Sequence, residues 1–426
     1  MEKTFTFPYG RSQRTVRLPG ENLCWVAGPR DVPAVPDVKE TVLAALRAPA
    51  GSPGLAELVR RHGRKTVILV DDGTRSTPQK VVLPVLLDEL NRSGVPDEQI
   101  TIIVGLGTHR PMSHEERLER FGEEVLRRVK VENLAQGPDD FVDLGVTGLG
   151  VPVQVSRKLL ESEMSIAVGT IIPHMYAGWS GGAKMVQPGA SSPLTTARTH
   201  LMAGPQVYQI LGQAENPVRR EMEAVASLAG LKFILNFILN PAGEVAAAVA
   251  GDVVLAHRAG VKLAAPIYSV EVPHRADIVV ASAHPADRDL WQGYKPVNNC
   301  GMLVRDGGTL ILFIAAPEGI SPDHPQMLDL GPLTGEEVMQ MVQDGRVRDE
   351  VAAATHIAYD QTRRRIRIVL VTDGISPQDG ARIGLTAVPD YRPALAEALR
   401  HYGPQAQIGV VFHGADISGR VCQTAR

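Results

Sequence analysis

Short runs of apolar and β-branched residues recur along the chain, and each run is bounded by turn residues. They are Thr66–Val70, Ile100–Val104, Ser165–Ile172, Phe233–Leu239, Ile278–Ala281, Thr309–Ile314, Ile366–Val371 and Ile408–Phe412. Within a run the apolar character is continuous rather than alternating, which predicts strands covered on both faces, as in a parallel sheet. Because helical patterns lie between the runs, the chain is predicted to be an α/β protein with helices on both faces of its sheets.

The starts of several helices are marked in the sequence. Ser113 and Glu116 form a capping box, which predicts a helix from there to Arg128. Two further starts are predicted where a hydroxyl residue precedes a proline, at Thr77-Pro78 and Ser192-Pro193.

A boundary between two domains is predicted near residues 266–274, where two prolines interrupt a helix-rich stretch. The length of 426 residues suits two or three domains of about 150 residues. We expect an N-terminal α/β domain over residues 1–270 and a C-terminal α/β domain over residues 271–426, both with parallel-type sheets flanked by helices. The active site is expected in the cleft between them, and the last strand is free to pack back on the first domain.

The composition argues against several classes of protein. Lys and Arg number 44 and Asp and Glu 47, a net charge of −3, so the basic surplus that nucleic acid or an anionic membrane requires is missing. The three cysteines lie far apart and predict neither a disulfide framework nor a thiolate zinc site. The chain shows no signal-peptide core at its start and no apolar stretch near the ~20 residues that span a bilayer, so we expect a cytoplasmic protein.

Polar side chains cluster directly after the predicted strands. These turns are Asp71–Pro78, Gly105–Pro111, Pro173–Lys184 and, in the second half, Trp291–Pro296. Ligands of doubly wound sheets bind beyond the carboxyl ends of the strands, so the turns predict a functional site. Three histidines, one lysine and one arginine converge there or on the helix that follows Ser192.

Three functions compete for these residues at this point. The stretch Gly178–Gly182 satisfies the G-x-S-x-G pattern of a serine hydrolase with Ser180 as nucleophile, although that pattern needs the serine directly after a strand. A non-catalytic protein could bind an anion or nucleotide at the same helix N-termini. A hydrolytic zinc site could be built from His109, His174 and His200.

Several of these stretches taken together match one known family. They are Asp72-Gly73-Thr74-Arg75, Gly107-Thr108-His109-Arg110, Pro173-His174, Ser180-Gly181-Gly182-Ala183-Lys184, Pro188-Gly189, His200 and Gln292-Gly293-Tyr294-Lys295. Over nearly its whole length the chain resembles the nickel-dependent lactate racemases, and the spacing of His174, Lys184 and His200 is the most specific part of that resemblance. It implies a nickel pincer nucleotide, a pyridinium-3,5-bisthiocarboxylic acid mononucleotide whose ring carbon and two sulfurs bind nickel(II).

The resemblance also implies a role for each matching residue. Lys184 would hold the cofactor covalently through a thioamide, His200 would be the nickel ligand, and His109 and His174 would be the acid/base pair. The implied cofactor contacts are Asp72, Gly73, Thr74, Arg75, Lys184 and His200. The implied substrate contacts are Arg75, Gln292 and Lys295. The implied partners are a small 2-hydroxy acid and the enzymes that make the cofactor, and a homo-oligomer is left open.

Physical chemistry explains why such a reaction needs these residue types. A proton on the carbon beside a carboxylate is hard to remove, whereas removing a hydride leaves a stable 2-keto acid, and a pyridinium ring can store that hydride. The substrate hydroxyl must lose its proton at the same time, to a base with a near-neutral pKa, and the two enantiomers call for two such bases. We therefore expect an isomerase that racemises or epimerises 2-hydroxy acids, with lactate as the default and a dicarboxylate such as malate also considered.

Overall fold

Every apolar run singled out in the sequence forms a strand in the computed structural model, which describes residues 1–422. The strands are β1 Glu2–Tyr9, β2 Ser12–Pro19, β3 Leu23–Ala27, β4 Thr66–Asp71, β5 Ile100–Gly105, β6 Lys130–Asn133, β7 Phe141–Val146, β8 Pro152–Ser156, β9 Met164–Thr170, β10 Pro173–His174, β11 Gly178–Trp179, β12 Phe233–Leu239, β13 Val245–Gly251, β14 Ser269–Val272, β15 Ala276–Ser282, β16 Val304–Phe313, β17 Arg367–Val371, β18 Thr386–Val388, β19 Ile408–Val411 and β20 Ser418–Val421.

The helices lie between these strands, as the alternating pattern predicts. They are α1 Val38–Arg47, α2 Leu55–His62, α3 Gln79–Arg92, α4 His114–Arg128, α5 Arg157–Leu160, α6 Pro193–Ala203, α7 Val207–Ile210, α8 Pro217–Leu228, α9 Leu255–Tyr268, α10 Leu290–Gly301, α11 Met327–Leu330, α12 Gly335–Gln343, α13 Glu350–Arg363, α14 Pro377–Arg382 and α15 Tyr391–Tyr402. No helix within residues 1–422 is both long enough and apolar enough to cross a membrane.

Two six-stranded sheets form the frame of the molecule. The first has the order β13-β12-β9-β4-β5-β6 and is parallel except for the β12–β13 pair. Every residue of β4, β9 and β12 is buried, because helices cover both faces of the sheet. The second has the order β18-β17-β16-β15-β19-β3 and is parallel throughout. The predicted fold class, two α/β units with parallel-type sheets flanked by helices, is confirmed.

The first 27 residues depart from the expected division of the chain. Strand β3 pairs with β19 at the edge of the second sheet, and the β1–β2 hairpin packs on that sheet through Phe7 and Val16 against Ile278 and Ile311. The boundary over 1–270 is therefore corrected at its start: these apolar side chains cover a face of the second sheet. The division near residue 270 stays a prediction.

The end of the described chain also differs from the expectation. The last apolar run forms β19, which lies inside the second sheet between β15 and β3, and β20 pairs with β14. The last apolar run therefore does not return to the first sheet, because β19 completes the buried second sheet between β15 and β3, whereas β20 pairs with β14 at the expected boundary.

A helix begins at or next to each of the three predicted starts, and two of the three predicted caps are confirmed. Ser113 and Glu116 make the reciprocal capping box of α4, and the Ser192 side chain accepts a hydrogen bond from the Thr195 backbone at the start of α6. The prediction that Thr77 caps α3 is wrong, because its hydroxyl donates to the Asp71 carboxylate instead.

Candidate active site

The cavity that most of the predicted site residues line, called the main cavity below, lies where the strand order of the first sheet reverses. Strand β4 has β5 on one side and β9 on the other, so the loops leaving β4 and β9 diverge and leave a crevice at the carboxyl edge. Residues from α10 of the second half close this crevice from the other side. The cavity thus lies between the two α/β units, where the active site is predicted.

The loop after β4 is held in shape by Asp71, its last strand residue. The Asp71 carboxylate accepts hydrogen bonds from the side chains of Thr77 and Gln79 and forms an ion pair with Arg120. Arg120 also donates to the backbone carbonyl of Arg75, 2.9 Å away. These contacts fix the turn so that the next carboxylate and the guanidinium of Arg75 face the cavity.

Asp72 orients His109 within this cavity. Its Oδ2 lies 2.7 Å from His109 Nδ1, and its Oδ1 accepts from the backbone and the hydroxyl of Thr74, at 3.0 and 2.5 Å. Burial alone would raise the pKa of Asp72, but His109, with smaller contributions from Arg75 and Thr74, holds it well below its ordinary value. An ionised Asp72 accepts the Nδ1 proton of His109, so the neutral ring keeps Nε2 free as a proton acceptor.

A hydrogen-bond chain continues from His109 into the second half of the molecule. Gln292 Nε2 donates to His109 Nε2 at 3.1 Å, and Lys295 Nζ donates to Gln292 Oε1 at 2.5 Å. Both residues lie on α10, whose first turn is capped by the side chain of Asp289. Spaced three apart on one helix, they reach the cavity together.

Three further nitrogen groups lie in the same cavity: His174 and His200 are buried, and Lys184 is half-buried. Burial, reinforced by neighbouring cations, lowers the pKa of His174 and of Lys184 well below their ordinary values. Burial and the adjacent Lys184 lower the pKa of His200 to about 3. His174 and His200 are therefore neutral imidazoles, and the Lys184 amine is shifted toward its neutral, nucleophilic form.

Glycines shape the wall beside Lys184. Gly181 has a φ of 74° and Gly182 a φ of 58°, the left-handed region that favours glycine. The loop between β11 and Lys184 can thus turn tightly beside the cavity. A Cβ on Gly105 would lie 3.1 Å from the Gly189 carbonyl oxygen, so the backbones of these two loops approach closely at the cavity edge.

Most of the site residues predicted from the sequence line this one cavity. They are Asp72, Arg75, His109, His174, Lys184, His200, Gln292 and Lys295. The other two predicted residues do not line it: Gly73 and Thr74 border two neighbouring cavities. Thr74 acts on the main cavity only through its hydrogen bonds to Asp72.

Sequence reasoning missed an aromatic pair on the wall formed by the second half. Trp291 lines the cavity, and its indole stacks on the imidazole of His324 with ring centroids 4.0 Å apart. The two nitrogens of His324 lie 2.7 Å from Asp349 Oδ2 and 3.0 Å from Thr108 Oγ1. Trp291 opened one of the strand-end stretches and could have been singled out, but nothing in the sequence near His324 places it beside the site.

A second missed pair lies next to His200. The ring of Tyr176 packs against the His200 ring with centroids 4.5 Å apart, and its hydroxyl donates to Thr355 Oγ1 at 3.2 Å. Tyr176 follows His174 by two residues, so its place in the strand-end turn was the available signal.

The hydroxyl of Ser180 is engaged by the main chain rather than free to attack a substrate. It donates to the Thr170 carbonyl at 2.5 Å and accepts from the Ile172 N–H at 2.9 Å, while His257 contacts the Ser180 carbonyl oxygen. These contacts argue against the serine hydrolase.

Across residues 1–422 no three His, Cys, Asp or Glu side chains are arranged to hold a metal ion. The three histidines considered for a zinc site, His109, His174 and His200, thus form no such group.

Comparison with known proteins gives consistent matches. The sequence model described as the lactate racemase N-terminal domain matches residues 9–209. A lactate racemase of Lactiplantibacillus plantarum is 30% identical over 388 residues, covering 89% of this chain and 90% of the relative. One from Thermoanaerobacterium thermosaccharolyticum is 27% identical over 424 residues, covering 96% and 97%. The solved lactate racemase apoprotein from the latter organism superposes with a TM-score of 0.86 at 25% identity, covering 98% of this chain and all of that one.

Proposed function

The chain belongs to the lactate racemase family and is an isomerase, and from that premise we propose that it interconverts the enantiomers of a 2-hydroxy acid such as lactate. The proposal includes a nickel pincer nucleotide held by Lys184 and His200, with transient hydride transfer from the substrate. One observation carries it: His109, His174, Lys184 and His200 line a single cavity together with the cations that a substrate carboxylate requires.

The residues at the cavity fit the cofactor. The Nδ1 atom of His200 is buried and has no hydrogen-bond partner within residues 1–422, and the ring is neutral, so it can donate a lone pair to a metal. Lys184 is half-buried, and its backbone bonds to Gly181 and Gly189. Its pKa is lowered, which favours the neutral amine, the form that makes a covalent amide-type bond. A single imidazole also agrees with a metal whose other ligands come from the cofactor itself.

When bound, the cofactor would supply a pyridinium ring that can accept a hydride from the substrate Cα and return it to either face of the resulting 2-keto acid. The remaining work belongs to the side chains. His109 Nε2 takes the hydroxyl proton, because Asp72 holds the ring proton on Nδ1 and stabilises the imidazolium that forms. The Gln292 amide that contacts Nε2 in this structure is displaced by the substrate hydroxyl.

The other side chains position the substrate and serve the second enantiomer. Arg75 and Lys295 bind the carboxylate, with Arg75 able to do so through two parallel hydrogen bonds. Burial and Arg75 lower the pKa of Lys295, and the negative charge of the bound carboxylate favours its protonated form. His174 serves the enantiomer whose hydroxyl points away from His109. The near-complete burial of His174 and His200 excludes water, which protects a 2-keto acid held between the two half-reactions.

Other expectations stay predictions. They are a cytoplasmic location, a need for cofactor-making enzymes and the possibility of a homo-oligomer.

The first test measures the covalent anchor. The protein is produced together with enzymes that make the cofactor, and its intact mass is compared with that of the Lys184→Ala and Lys295→Ala variants. We expect the added mass in the parent and in Lys295→Ala, which removes another half-buried lysine of the same cavity, but not in Lys184→Ala. The loaded parent should also destroy the optical purity of lactate. An unchanged adduct in Lys184→Ala would remove that residue from the proposed role.

A further inference from the structure

A second cavity opens at the carboxyl edge of the second sheet. Strand β15 has β16 on one side and β19 on the other, so the strand order reverses there, and open α/β sheets bind ligands at such points. His284 follows β15, and His413 and Asp416 follow β19. All three line the cavity.

This second cavity adjoins the first through shared walls. Thr170, Arg75, His174 and Lys295 line both. A substrate whose carboxylate is bound by Arg75 and Lys295 therefore has the cofactor cavity on one side and the second cavity on the other. The substituent on its C2 carbon has a place to extend.

One hydrogen-bonding atom of the lining of the second cavity is left unsatisfied by the protein. His284 Nδ1 is buried and has no hydrogen-bond partner among residues 1–422, and Asp287 Oδ1 lies 4.0 Å from it. The His413 ring meets the His284 ring edge-on, with centroids 5.4 Å apart. His413 has a φ of 51°, an uncommon conformation for a residue with a side chain, and such strain is kept where a side chain must be aimed.

The protonation states of the lining groups further limit which substrate side chains the second cavity can bind. Burial lowers the pKa of His284 and lowers that of His413 to about 4, so both rings are neutral. Burial raises the pKa of Asp416 to about 7 although Lys295 and Arg75 act in the opposite direction, so this carboxyl is a donor or an acceptor near neutral pH. A second substrate carboxylate would face Asp416, and an alkyl group would leave these polar groups without partners.

We propose that this cavity binds the side chain of the substrate and selects 2-hydroxy acids that carry further hydroxyl groups from C3 onward, over alkyl and dicarboxylic 2-hydroxy acids. A hydroxyl both donates and accepts, so it can satisfy His284, His413 and Asp416 at once. The inference rests on the proposed function, because it places the substrate carboxylate on Arg75 and Lys295.

The test compares two substrates of the same size. Glycerate and 2-hydroxybutyrate differ only by a hydroxyl in place of a terminal methyl, and lactate and malate complete the set. We expect kcat/KM of the cofactor-loaded enzyme to be at least about 10-fold higher for glycerate than for 2-hydroxybutyrate, with malate below both. Equal or inverted values would overturn this inference alone. If no acid, lactate included, loses optical purity, the proposed function fails and this inference with it.

Variants of the lining residues then test whether the second cavity causes the preference for glycerate over 2-hydroxybutyrate. In Asp416→Leu the glycerate to 2-hydroxybutyrate ratio should fall toward 1, while Asp416→Asn should keep part of it. Asp329→Leu, at an exposed aspartate of the same half, is the matched control and should keep the ratio of the parent. An unchanged ratio in Asp416→Leu would overturn the proposal.

The intact mass of each variant tests whether the second cavity binds the cofactor instead of the substrate side chain. Loss of the covalent cofactor mass in Asp416→Leu would assign the cavity to the cofactor and overturn the inference. Should that variant not fold, His413→Asn replaces it, because asparagine tolerates a positive φ, and it too should lower the ratio.

Discussion

The two histidines of the catalytic cavity, His109 and His174, differ in everything that their ring nitrogens contact. His109 lies between a carboxylate on Nδ1 and an amide donor on Nε2. His174 has no carboxylate partner: its Nδ1 accepts the backbone N–H of Tyr176 at 3.2 Å, and the nearby charges are Lys184, Lys295 and Arg75. One ring lies where a positive charge is stabilised, and the other where it is opposed.

Because of this difference, the neutral forms of the two rings are opposite tautomers. An Nδ1 that donates to Asp72 leaves His109 with an accepting Nε2. An Nδ1 that accepts from Tyr176 leaves the proton of His174 on Nε2. The pair therefore begins as one proton acceptor, His109, and one N–H donor, His174. In a single turnover we expect the enantiomer whose hydroxyl faces His109 to transfer its hydride faster. A symmetric reaction thus has an asymmetric pair of bases.

Removing either ring should have the largest effect. His109→Ala and His174→Ala should each lower interconversion by about 10²–10⁴-fold, the range for general acid–base catalysis. In single-turnover reactions of each pure enantiomer, followed by the absorbance of the bound cofactor, the two variants should retain opposite enantiomers. His401→Ala, at an exposed histidine, serves as the control. Identical responses of both variants to both enantiomers would contradict the two-base assignment.

Replacing the carboxylate partner of His109 should sharpen the comparison. In Asp72→Asn the amide can donate to Nδ1, which moves the ring proton to Nε2 and removes the accepting lone pair. In single-turnover reactions of each pure enantiomer, we expect the rate of hydride transfer to fall on the order of 10²-fold for the enantiomer whose hydroxyl faces His109. The rate for the other enantiomer should fall less. Asp323→Asn, at a carboxylate that accepts from the Arg110 backbone, is the matched control. An equal loss for both enantiomers would argue that Asp72 only maintains the loop.

The sequence predicted best those features that depend on neighbouring residues of the chain, namely the buried strands and the residues that directly follow them. Continuous apolar runs identify β4, β9 and β12 because both faces of these strands are covered, and the strand-end rule then locates Asp72, His109 and His174. Contacts between distant segments leave no such pattern. The stacking of Trp291 on His324 depends on two loops meeting, and the pairing of β3 with β19 joins segments from opposite parts of the chain.

Competition for a hydrogen bond explains another miss. Thr77 precedes a proline, as a capping residue does, yet the Asp71 carboxylate takes its hydroxyl proton. A local sequence pattern does not indicate that the fold places another hydrogen-bond acceptor, here Asp71, within reach of the Thr77 hydroxyl.

Acid should destabilise the region around His174 and His200. Both folded pKa values lie below the ordinary value near 6.5, and that of His200 is about 3, so the unfolded chain binds more protons in between. The free energy of unfolding should therefore fall as the pH is lowered from about 6.5 toward 3, by up to about 1.4 kcal/mol per pH unit for each ring. Denaturant titrations of the cofactor-free protein should show a shallower dependence in His200→Gln, and His401→Gln should follow the parent. A slope unchanged in His200→Gln would contradict the shift.

The smallest predicted effect concerns the Tyr176 hydroxyl beside His200. Thr355→Val removes its hydrogen-bond acceptor and leaves a buried hydroxyl without a partner, which should cost about 1 kcal/mol of unfolding free energy. Adding Tyr176→Phe should recover much of the loss, because neither group then needs a partner. Purely additive losses in the double variant would show that the hydrogen bond contributes no stability.

The pairing of β3 with β19 has a consequence for the order of events during biosynthesis. Strand β3 and the β1–β2 hairpin leave the ribosome early, but the strands on which they pack, β15 and β19, emerge only after the first sheet has been made. At about 5–20 residues per second, the early segment waits on the order of tens of seconds with its apolar side chains uncovered. Completion of the second sheet is thus the step that withdraws this segment from chaperones and from aggregation.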